Sequence, residues 1–336
     1  MGNNIFGQDM NNRSIFIKKD IKNIKDQNNI KIQNTEKKEE NILNNLKEMI
    51  NYEFNENGIL INKINGKKCG LLEKKEYELV GKYVEKYIEI YLSKKFNLTT
   101  LYVPNKKKYF IKKDETQPQC KILVTQNFPI NPKCLIIIQG SGNVKLGQWA
   151  RSVCINDNLY LGSMIPYIDK AIKNNYSIII LNPNERIDFL DDRKIIEEFS
   201  TNENHCLYVY NNIIKNNINI KEIYIVAHSY GGNCTLEILL KNKEDLISGR
   251  IKKIAFTDSA HGNKYKLLDK NSIHFLKKIS RNYICSQLPV GSFMGYQPMC
   301  GVYCYSAGHI KHEYTSGCAI EEIFHFFKKN QYCEFC

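Results

Sequence analysis

The chain has 336 residues, enough for one large α/β domain with extensions or for two small domains, and 43% of them are hydrophobic. The formal net charge of +13 would suit an anionic partner, but the lysines are dispersed among many asparagines and isoleucines, which does not favour a nucleic-acid groove. No apolar run approaches the roughly 20 residues that span a bilayer, and the N-terminus lacks the apolar stretch of a signal peptide. We therefore expect an intracellular protein without a membrane segment.

The 12 cysteines are scattered, several of them within predicted strands or helices, a pattern typical of reduced and mostly buried thiols. Cys333 and Cys336 form a CxxC pair at the C-terminus. A zinc site would need two more ligands, for which Cys300 and Cys304 are the nearby candidates. The favoured interpretation is a tail without function, and the sequence predicts neither a metal nor an organic cofactor.

Composition and periodicity divide the chain into three parts. Residues 1–48 are rich in asparagine and lysine and lack steady periodicity, which predicts a disordered tail. Residues 49–330 form the predicted folded unit, and 331–336 a short second tail. Within that unit, 49–130 contains a hairpin around Asn57-Gly58, from Phe54 to Leu60, then a long amphipathic helix over Glu73–Phe96. Two strands follow, at Leu98–Val103 and Lys121–Thr125.

Residues 131–330 alternate apolar strands with helical segments, the pattern of a parallel α/β fold. The predicted strands are Cys134–Ile138, Tyr176–Leu181, Glu222–Ala227, Lys253–Thr257, Tyr283–Cys285 and Val302–Tyr305. The predicted helices are Met164–Asn174, His205–Asn216, Asn233–Leu240, Ser272–Ile279 and Glu321–Phe327. Strands that are apolar throughout require a sheet covered by helices on both faces.

The strand Glu222–Ala227 runs into His228-Ser229-Tyr230-Gly231-Gly232, after which a helix begins. A strand, a sharp turn with serine at its apex and a helix are the layout of a nucleophile elbow. Small residues must flank such a strained serine, and Ala227 and Gly231 occupy those places. Ser229 could instead cap the N-terminus of the following helix. The strand before the turn and the helix after it favour the nucleophile.

A serine nucleophile needs a base and a carboxylate that orients the base, in the chain order serine, acid, histidine. Asp258 ends the strand after the elbow and is the best acid, because Ser286–Gly308 contains no aspartate or glutamate; a helix cap or loop hydrogen bond is its structural alternative. His312 on the final loop is preferred as the base, with His309 as the alternative. His261 suits a pocket wall.

Stabilising an oxyanion would need two backbone N–H donors. One is expected from Tyr230, directly after the nucleophile. The other is expected from the loop after the first core strand, Gln139-Gly140-Ser141-Gly142, where glycines let the backbone approach closely. Asn182 also follows a strand and is expected at this edge of the sheet. Tyr230 and Trp149 are expected as pocket walls, although Trp149, the single tryptophan, fits a core anchor equally well.

Six motifs in order resemble the Arb domain (argonaute-binding protein two) family, most closely its cotranscriptional-regulator branch. They are Gln139–Gly142, Gly147–Arg151, Leu181–Asn184, Ala227–Gly232, Thr257–His261 and His312–Ser316. The resemblance covers about Tyr52 to Phe327. It implies an α/β-hydrolase fold with Ser229 at the nucleophile position and His312 in the family's late His-Glu motif.

The resemblance also implies a cellular role. Family members are associated with nuclear work, so argonaute, chromatin or splicing proteins are expected as partners, and the nucleus, the cytoplasm or both as the location. One departure concerns the loop after the first core strand, which in the family usually opens with His-Gly and here opens with Gln139. A glutamine amide can still donate a hydrogen bond to an oxyanion, but it cannot act as an acid or base. The two functional hypotheses are a serine hydrolase and a catalytically silent scaffold.

Overall fold

The structure is a computed structural model that describes residues 40–106, 110–111, 113–114, 116–189 and 191–328. Most of the expected N-terminal tail and the Cys333–Cys336 pair lie outside these residues. Residues 40–49 form a helix, α1, where the sequence had predicted continued disorder. Leu43 and Leu46 are three positions apart and therefore face the same side of the helix, where they pack against the core.

The N-terminal hairpin and the long helix are present as predicted. Strands β1 (Tyr52–Phe54) and β2 (Leu60–Asn62) pair antiparallel. Asn55 stabilises the turn because its side-chain oxygen accepts hydrogen bonds from two backbone N–H groups further along the turn. Helix α2 (Lys74–Phe96) buries residues at helical spacing, among them Val80, Val84, Ile88 and Leu92.

The remaining nine strands form one sheet. They are β3 Thr99–Val103, β4 Cys120–Val124, β5 Lys133–Ile138, β6 Ser177–Ile180, β7 Glu222–His228, β8 Ile251–Thr257, β9 Ser280–Ile284, β10 Phe293–Gln297 and β11 Val302–Ser306. Their order across the sheet is β10-β11-β9-β8-β7-β5-β6-β4-β3. The six strands from β11 to β6 run parallel, whereas β4, β3 and β10 pair antiparallel at the two edges.

Helices cover both faces of this sheet. Their bounds are α3 Arg151–Asn156, α4 Leu159–Gly162, α5 Ile165–Lys173, α6 Asn202–Val209, α7 Gly231–Lys241, α8 Lys243–Ile247, α9 Lys270–Ile279, α10 Thr315–Cys318 and α11 Ile320–Lys328. A π-helical turn over Tyr210–Ile214 extends α6. Alternate residues of β5 separate into two clusters: Ile136 and Ile138 pack with α6 to α9, whereas Leu135 and Ile137 pack with α2, α5 and α11. Burial on both faces explains why the strand is apolar throughout.

This architecture is an α/β-hydrolase fold: a mostly parallel sheet with antiparallel strands on the side where the folded chain enters. The elbow lies at the carboxyl end of β7, in the middle of the sheet. The carboxyl ends of β5, β8 and β11 open on the same edge, because these strands run parallel to β7. Side chains from distant parts of the chain can therefore converge there.

Candidate active site

Ser229 occupies a strained turn between β7 and α7. Its φ is +50°, in the left-handed region that non-glycine residues rarely adopt. The backbone holds this geometry through hydrogen bonds on both sides: the Ser229 N–H donates to the Thr257 carbonyl at 3.0 Å, and the Ala260 N–H donates to the Ser229 carbonyl at 3.0 Å. A Cβ on Gly231 would lie 2.7 Å from the Ile138 carbonyl oxygen, so the helix can start this close to β5 only with glycine there. A strained serine held at a strand end is what a nucleophile elbow requires.

Asp258 and His312 lie in contact although they are 54 residues apart. The distance from His312 Nδ1 to Asp258 Oδ2 is 2.6 Å, a short and charge-assisted hydrogen bond. A carboxylate only accepts, so Nδ1 carries the proton and Nε2 is left bare when the ring is neutral. Asp258 also has a positive φ, of +44°. The structure thus brings together the predicted acid and the preferred one of the two candidate bases.

The pKa values of this pair shift in opposite directions. The hydrogen bond that His312 donates to Asp258 raises the pKa of His312 against the opposing effect of burial. Burial alone would raise the pKa of Asp258, but the hydrogen bonds from His312 and Cys285 outweigh it and hold that pKa below its ordinary value. Each group thus stabilises the charged form of the other.

Ser229 and His312 line one pocket of about 340 Å³. Within the described residues, no hydrogen bond joins the Ser229 hydroxyl to the His312 ring. The acid and the base of the predicted triad are therefore hydrogen-bonded to each other, whereas the nucleophile is not bonded to the base. Five residues of the pocket wall were predicted for the site: Gly140, Ser141, Trp149, Ser229 and His312. His228 also lines the pocket, although it was expected to point away from it. The others are Tyr77, Glu78, Asn143, Val144, Ala150, Arg151, Ser152 and Glu313.

The loop after β5 approaches the elbow closely. A Cβ on Gly140 would lie 3.0 Å from the Ser229 Cβ and 3.3 Å from Cδ2 of His228, so only glycine leaves the contact unstrained. Ser141 is exposed at the same rim. No hydrogen bond among the described residues uses the N–H of Gly140 or of Ser141, which leaves both available to a ligand.

Sequence reasoning missed Asn184, which fixes this loop from below. Its side-chain amide donates to the Gly140 carbonyl and to the Val144 carbonyl, both at 2.9 Å. Its oxygen accepts a hydrogen bond from Asn202 at 2.8 Å. Asn184 lies in the Leu181–Asn184 motif, which indicated a site residue at this strand end, but the prediction selected Asn182.

Gln139 supports the loop and does not line the pocket. Its side chain is buried, and its amide donates to the Val144 carbonyl at 3.1 Å. The expected donation to an oxyanion is therefore replaced by a bond within the loop. Gly142, with φ of +107°, turns the exposed tip of the loop and does not line the pocket either.

Tyr230 follows the nucleophile, and its backbone N–H has no hydrogen-bond acceptor among the described residues, so it can serve as the second donor. Its phenol does not enter the pocket: it donates to Glu203 at 2.7 Å, and that bond, with burial, raises the pKa of Tyr230 to about 12. The expectation that the Tyr230 side chain forms a pocket wall is therefore wrong, because its phenol has a structural partner outside the pocket.

Trp149 belongs to the hydrophobic core and also forms part of the pocket wall. Its side chain is 1% exposed and packs edge-on against Tyr167 at 5.1 Å between ring centroids, yet it also lines the pocket. Next to it lies His228, the residue before the nucleophile. The His228 Nδ1–H donates to the Thr257 carbonyl at 3.0 Å, and the ring faces His312. Burial, with His312 as a second cause, lowers the pKa of His228 to about 4.

Three other histidine and asparagine predictions have different outcomes. His261 lies behind the elbow, where it bonds Ser259 at 2.7 Å and the Cys300 carbonyl at 2.8 Å, so it is not a pocket wall. Asn182 is turned away from the pocket, and its amide donates to the Lys121 carbonyl at 3.2 Å. His309 stacks on Tyr314 at 4.1 Å between centroids, and among the described residues it has no hydrogen bond with Asp258, which His312 bonds instead. His309 therefore fits the role of base less well than His312.

Charged residues form the outer rim of the pocket. Arg151 donates to Glu78 at 3.0 Å and to the Tyr77 carbonyl at 3.1 Å, and its guanidinium lies over the Tyr77 ring. Helix α2 is thereby joined to α3 at the pocket mouth. Glu313, next to the candidate base, completes the rim.

Other potential ligand sites do not overlap this pocket. No group of three or more histidine, cysteine or acidic side chains suited to a metal occurs in the described part of the chain. Cys300 and Cys304 lie with their sulfurs 3.9 Å apart, both buried. A second cavity, of about 440 Å³, lies at the amino ends of β7 and β8 and contains no predicted site residue. Across the described residues, no helix has the length and apolar character needed to cross a membrane.

Comparison with solved structures finds several hydrolases. The structure of a histone deacetylase from Saccharomyces cerevisiae is similar at 14% identity and a TM-score of 0.42, over 74% of this chain and 96% of that one. An esterase from Pyrobaculum calidifontis is similar at 12% identity and a TM-score of 0.32, over 65% and 76% of the two chains. At such low identities and TM-scores, these likenesses carry no inference about activity.

Sequence comparison gives the family. The Arb2 domain family matches residues 18–290, which include Ser229 and Asp258 but end before His312. A cotranscriptional regulator ARB2A homolog of Dictyostelium discoideum is 34% identical, over 82% of this chain and 77% of its own length. The human cotranscriptional regulator ARB2A is 27% identical, over 75% and 71% of the two chains. The chain belongs to the Arb2 domain family.

Proposed function

We propose that this protein is a serine hydrolase that cleaves an ester, thioester or amide by acyl transfer through Ser229. The observation that carries the proposal is the 2.6 Å bond between His312 and Asp258 in the pocket that the strained Ser229 also lines. An exposed histidine whose ring orientation is fixed by a carboxylate leaves its other nitrogen free to act as a base.

In the first half-reaction, His312 Nε2 removes the hydroxyl proton of Ser229, and the oxygen bonds to the substrate carbonyl carbon. The negative charge passes to the carbonyl oxygen, which the N–H groups of Tyr230 and of Gly140 or Ser141 would bind. The tetrahedral intermediate collapses, the leaving group takes the proton from His312, and the acyl group stays on Ser229. Water then repeats the sequence and releases the acid. Substrate binding must bring the hydroxyl of Ser229 within hydrogen-bond distance of Nε2.

A fluorophosphonate probe, which phosphonylates activated serines, tests the proposal directly. Wild-type protein should be labelled, and mass spectrometry should locate the label on Ser229. Ser229→Ala should not label, whereas Ser141→Ala, at the exposed loop next to it, should still do so. Wild-type labelling no stronger than that of Ser229→Ala would exclude the hydrolase.

The relatives favour a second function, a nuclear scaffold for cotranscriptional regulation. These relatives are named cotranscriptional regulators, and they match most of this chain. The missing bond between Ser229 and His312 is also compatible with a hydrolase frame that binds without turnover. Argonaute, chromatin or splicing proteins would be the partners, and the two functions can coexist in one protein.

Affinity purification from nuclear extract tests the scaffold. The wild type and Ser229→Ala should recover the same RNA-silencing, chromatin or splicing proteins, since a scaffold does not need the nucleophile. Recovery of none of these classes would argue against the scaffold, and loss of them in Ser229→Ala would tie partner binding to the pocket.

A further inference from the structure

Cys285 directly follows β9, next to the end of β8 where Asp258 lies. Its backbone N–H points at Asp258 Oδ1, with 3.4 Å between nitrogen and oxygen. Its thiol donates to Oδ2 at 3.0 Å, the oxygen that also accepts the hydrogen bond from His312. Both carboxylate oxygens therefore have a donor on Cys285, in addition to the one on the histidine.

The carboxylate benefits from this support because its other partner is half exposed. His312 begins a single 3-10 turn, His312–Tyr314, and its side chain is 46% exposed, whereas that of Asp258 is 24% exposed. A carboxyl group can rotate about its last bond, and one solvent-exposed partner restrains that rotation less than two partners do. The strand end that carries Cys285 is fixed to Asp258 through the backbone, since the Asp258 N–H donates to the Tyr283 carbonyl at 2.8 Å.

The thiol acts here as a hydrogen-bond donor and not as a nucleophile. Cys285 does not line the pocket, so a substrate in the pocket would not meet its sulfur. Burial and the adjacent Asp258 raise the pKa of Cys285 to about 12, which keeps the sulfur protonated at neutral pH. A thiol is a weak donor, but a charged acceptor strengthens the bond.

We propose that Cys285 is a positioning residue, which holds the Asp258 carboxylate with Oδ2 directed at His312 through its thiol and its backbone N–H. The contact itself is independent of turnover, but its effect on catalysis rests on the proposed hydrolase function. The sequence did not point to this position, because the role follows from the pairing of β8 with β9.

The contact is tested by alkylating the full chain with iodoacetamide at pH 9 and quantifying Cys285 by peptide mass spectrometry. Asp258→Asn removes the negative charge beside the sulfur, so Cys285 should alkylate about tenfold faster, because its thiolate fraction rises. Cys318, also partly exposed, is the internal control and should not change. His312→Ala distinguishes the effect of charge from that of solvent exposure. It exposes the Asp258 carboxylate but leaves it ionised, so the alkylation rate of Cys285 should stay as slow as in wild type. An unchanged rate in Asp258→Asn, or equal acceleration in both variants, would overturn the contact.

The consequence for the site is tested by fluorophosphonate labelling of Ser229. Cys285→Ala should label roughly tenfold more slowly than wild type, whereas Cys285→Ser, which keeps a donor, should stay within about twofold. If wild type labels and Cys285→Ala labels equally fast, the positioning role is wrong. If wild type does not label at all, the hydrolase proposal fails, and the alkylation experiment still decides whether Cys285 donates to Asp258.

Discussion

The imidazole rings of His228 and His312 lie 4.7 Å apart between centroids, inclined by 32°. His228 is buried and donates through Nδ1 to a carbonyl, whereas His312 is exposed and bonded to Asp258. Two adjacent imidazolium ions would repel, and the buried ring is the one that stays neutral. The site can therefore place a single positive charge on the ring pair, and that charge belongs to His312.

The pH dependence of labelling should follow His312. A base must be neutral, so labelling of Ser229 should be lost as pH falls through the His312 pKa, which Asp258 raises above the ordinary value near 6.5. In Asp258→Asn this loss should move to lower pH, and the plateau rate should fall. Probe labelling measured between about pH 5 and 9 gives both the pH midpoint and the plateau rate. Equal midpoints in the two proteins would mean that Asp258 does not govern the base.

The same shifts also predict how the pair contributes to folding stability. The raised pKa of His312 stabilises the fold at pH below its unfolded value, and this contribution is lost as pH rises through the folded value. Asp258 has the opposite sign: its lowered pKa stabilises the fold above its unfolded value, and the contribution is lost on acidification. Both side chains are partly exposed, so the effects should be small.

Gly140→Ala should impair the site without unfolding the protein. The added Cβ would lie 3.0 Å from the Ser229 Cβ, so the loop or the elbow must shift by a few tenths of an ångström. We expect labelling of Ser229 to slow by roughly ten- to a hundredfold, since small displacements of a nucleophile are costly. Gly70→Ala is the control, because no atom lies within 4 Å of its added Cβ. Labelling by Gly140→Ala at the wild-type rate would show that the loop does not contribute to the reaction.

Asn184→Ala should loosen the donor loop. It removes two hydrogen bonds to loop carbonyls, so the free energy of unfolding should fall by about 1–3 kcal/mol. Labelling should slow as well, because Gly140 is no longer held. Urea unfolding and probe labelling measure the two effects, and Asn212→Ala, on an exposed helix position with one local bond, is the control. A stability loss without slower labelling would limit Asn184 to a structural role.

His205 should make the fold sensitive to acid. It is fully buried, its Nε2 accepts the Asn182 N–H at 3.1 Å, and burial lowers its pKa to about 3. Below about pH 6.5 His205 is protonated in the unfolded chain but stays neutral in the folded protein. The free energy of unfolding therefore falls as the pH decreases. The slope from one such histidine approaches about 1.4 kcal/mol per pH unit.

His205→Gln should flatten that slope, as measured by urea unfolding at several pH values between 4 and 7, chosen to span the expected change. The variant starts from a lower stability, so the comparison uses slopes and not midpoints. His274→Gln, at an exposed position of α9, is the matched control. A slope equal to that of wild type in His205→Gln would assign the acid sensitivity to other groups.

The fold could be read from the sequence because its strands are apolar on both faces. The strand Phe293–Gln297 was not predicted, because Gly295 interrupts it with a φ of +87° and its side chains are exposed or half-buried. At such an edge, pairing with β11 decides the structure, and propensity has little influence. The short helices α3 and α4 were also missed, since they are too short for periodicity to be visible.

Of the candidate site, Ser229, Asp258 and His312 could be chosen from chain order and from their places after strands. Asn184 and Cys285 could not, because their roles depend on which strand lies beside which. Asn182 and His261 were placed in the pocket since they follow strands, but a position in the chain does not fix the direction of a side chain. The structure turns both toward buried partners.

Two backbone hydrogen bonds join the turn of Ser229 to the turn that contains Asp258. The Ser229 N–H donates to the Thr257 carbonyl, and the Ala260 N–H donates to the Ser229 carbonyl. The nucleophile and the acid are therefore held relative to each other by one hydrogen-bonded pair of turns. His312 comes from another segment, which is joined to this pair by the bond of His312 to the carboxylate and by the hydrogen bond between Thr257 Oγ1 and Ser316 Oγ. A substitution in that segment would therefore displace the histidine and leave the spacing between the other two residues unchanged.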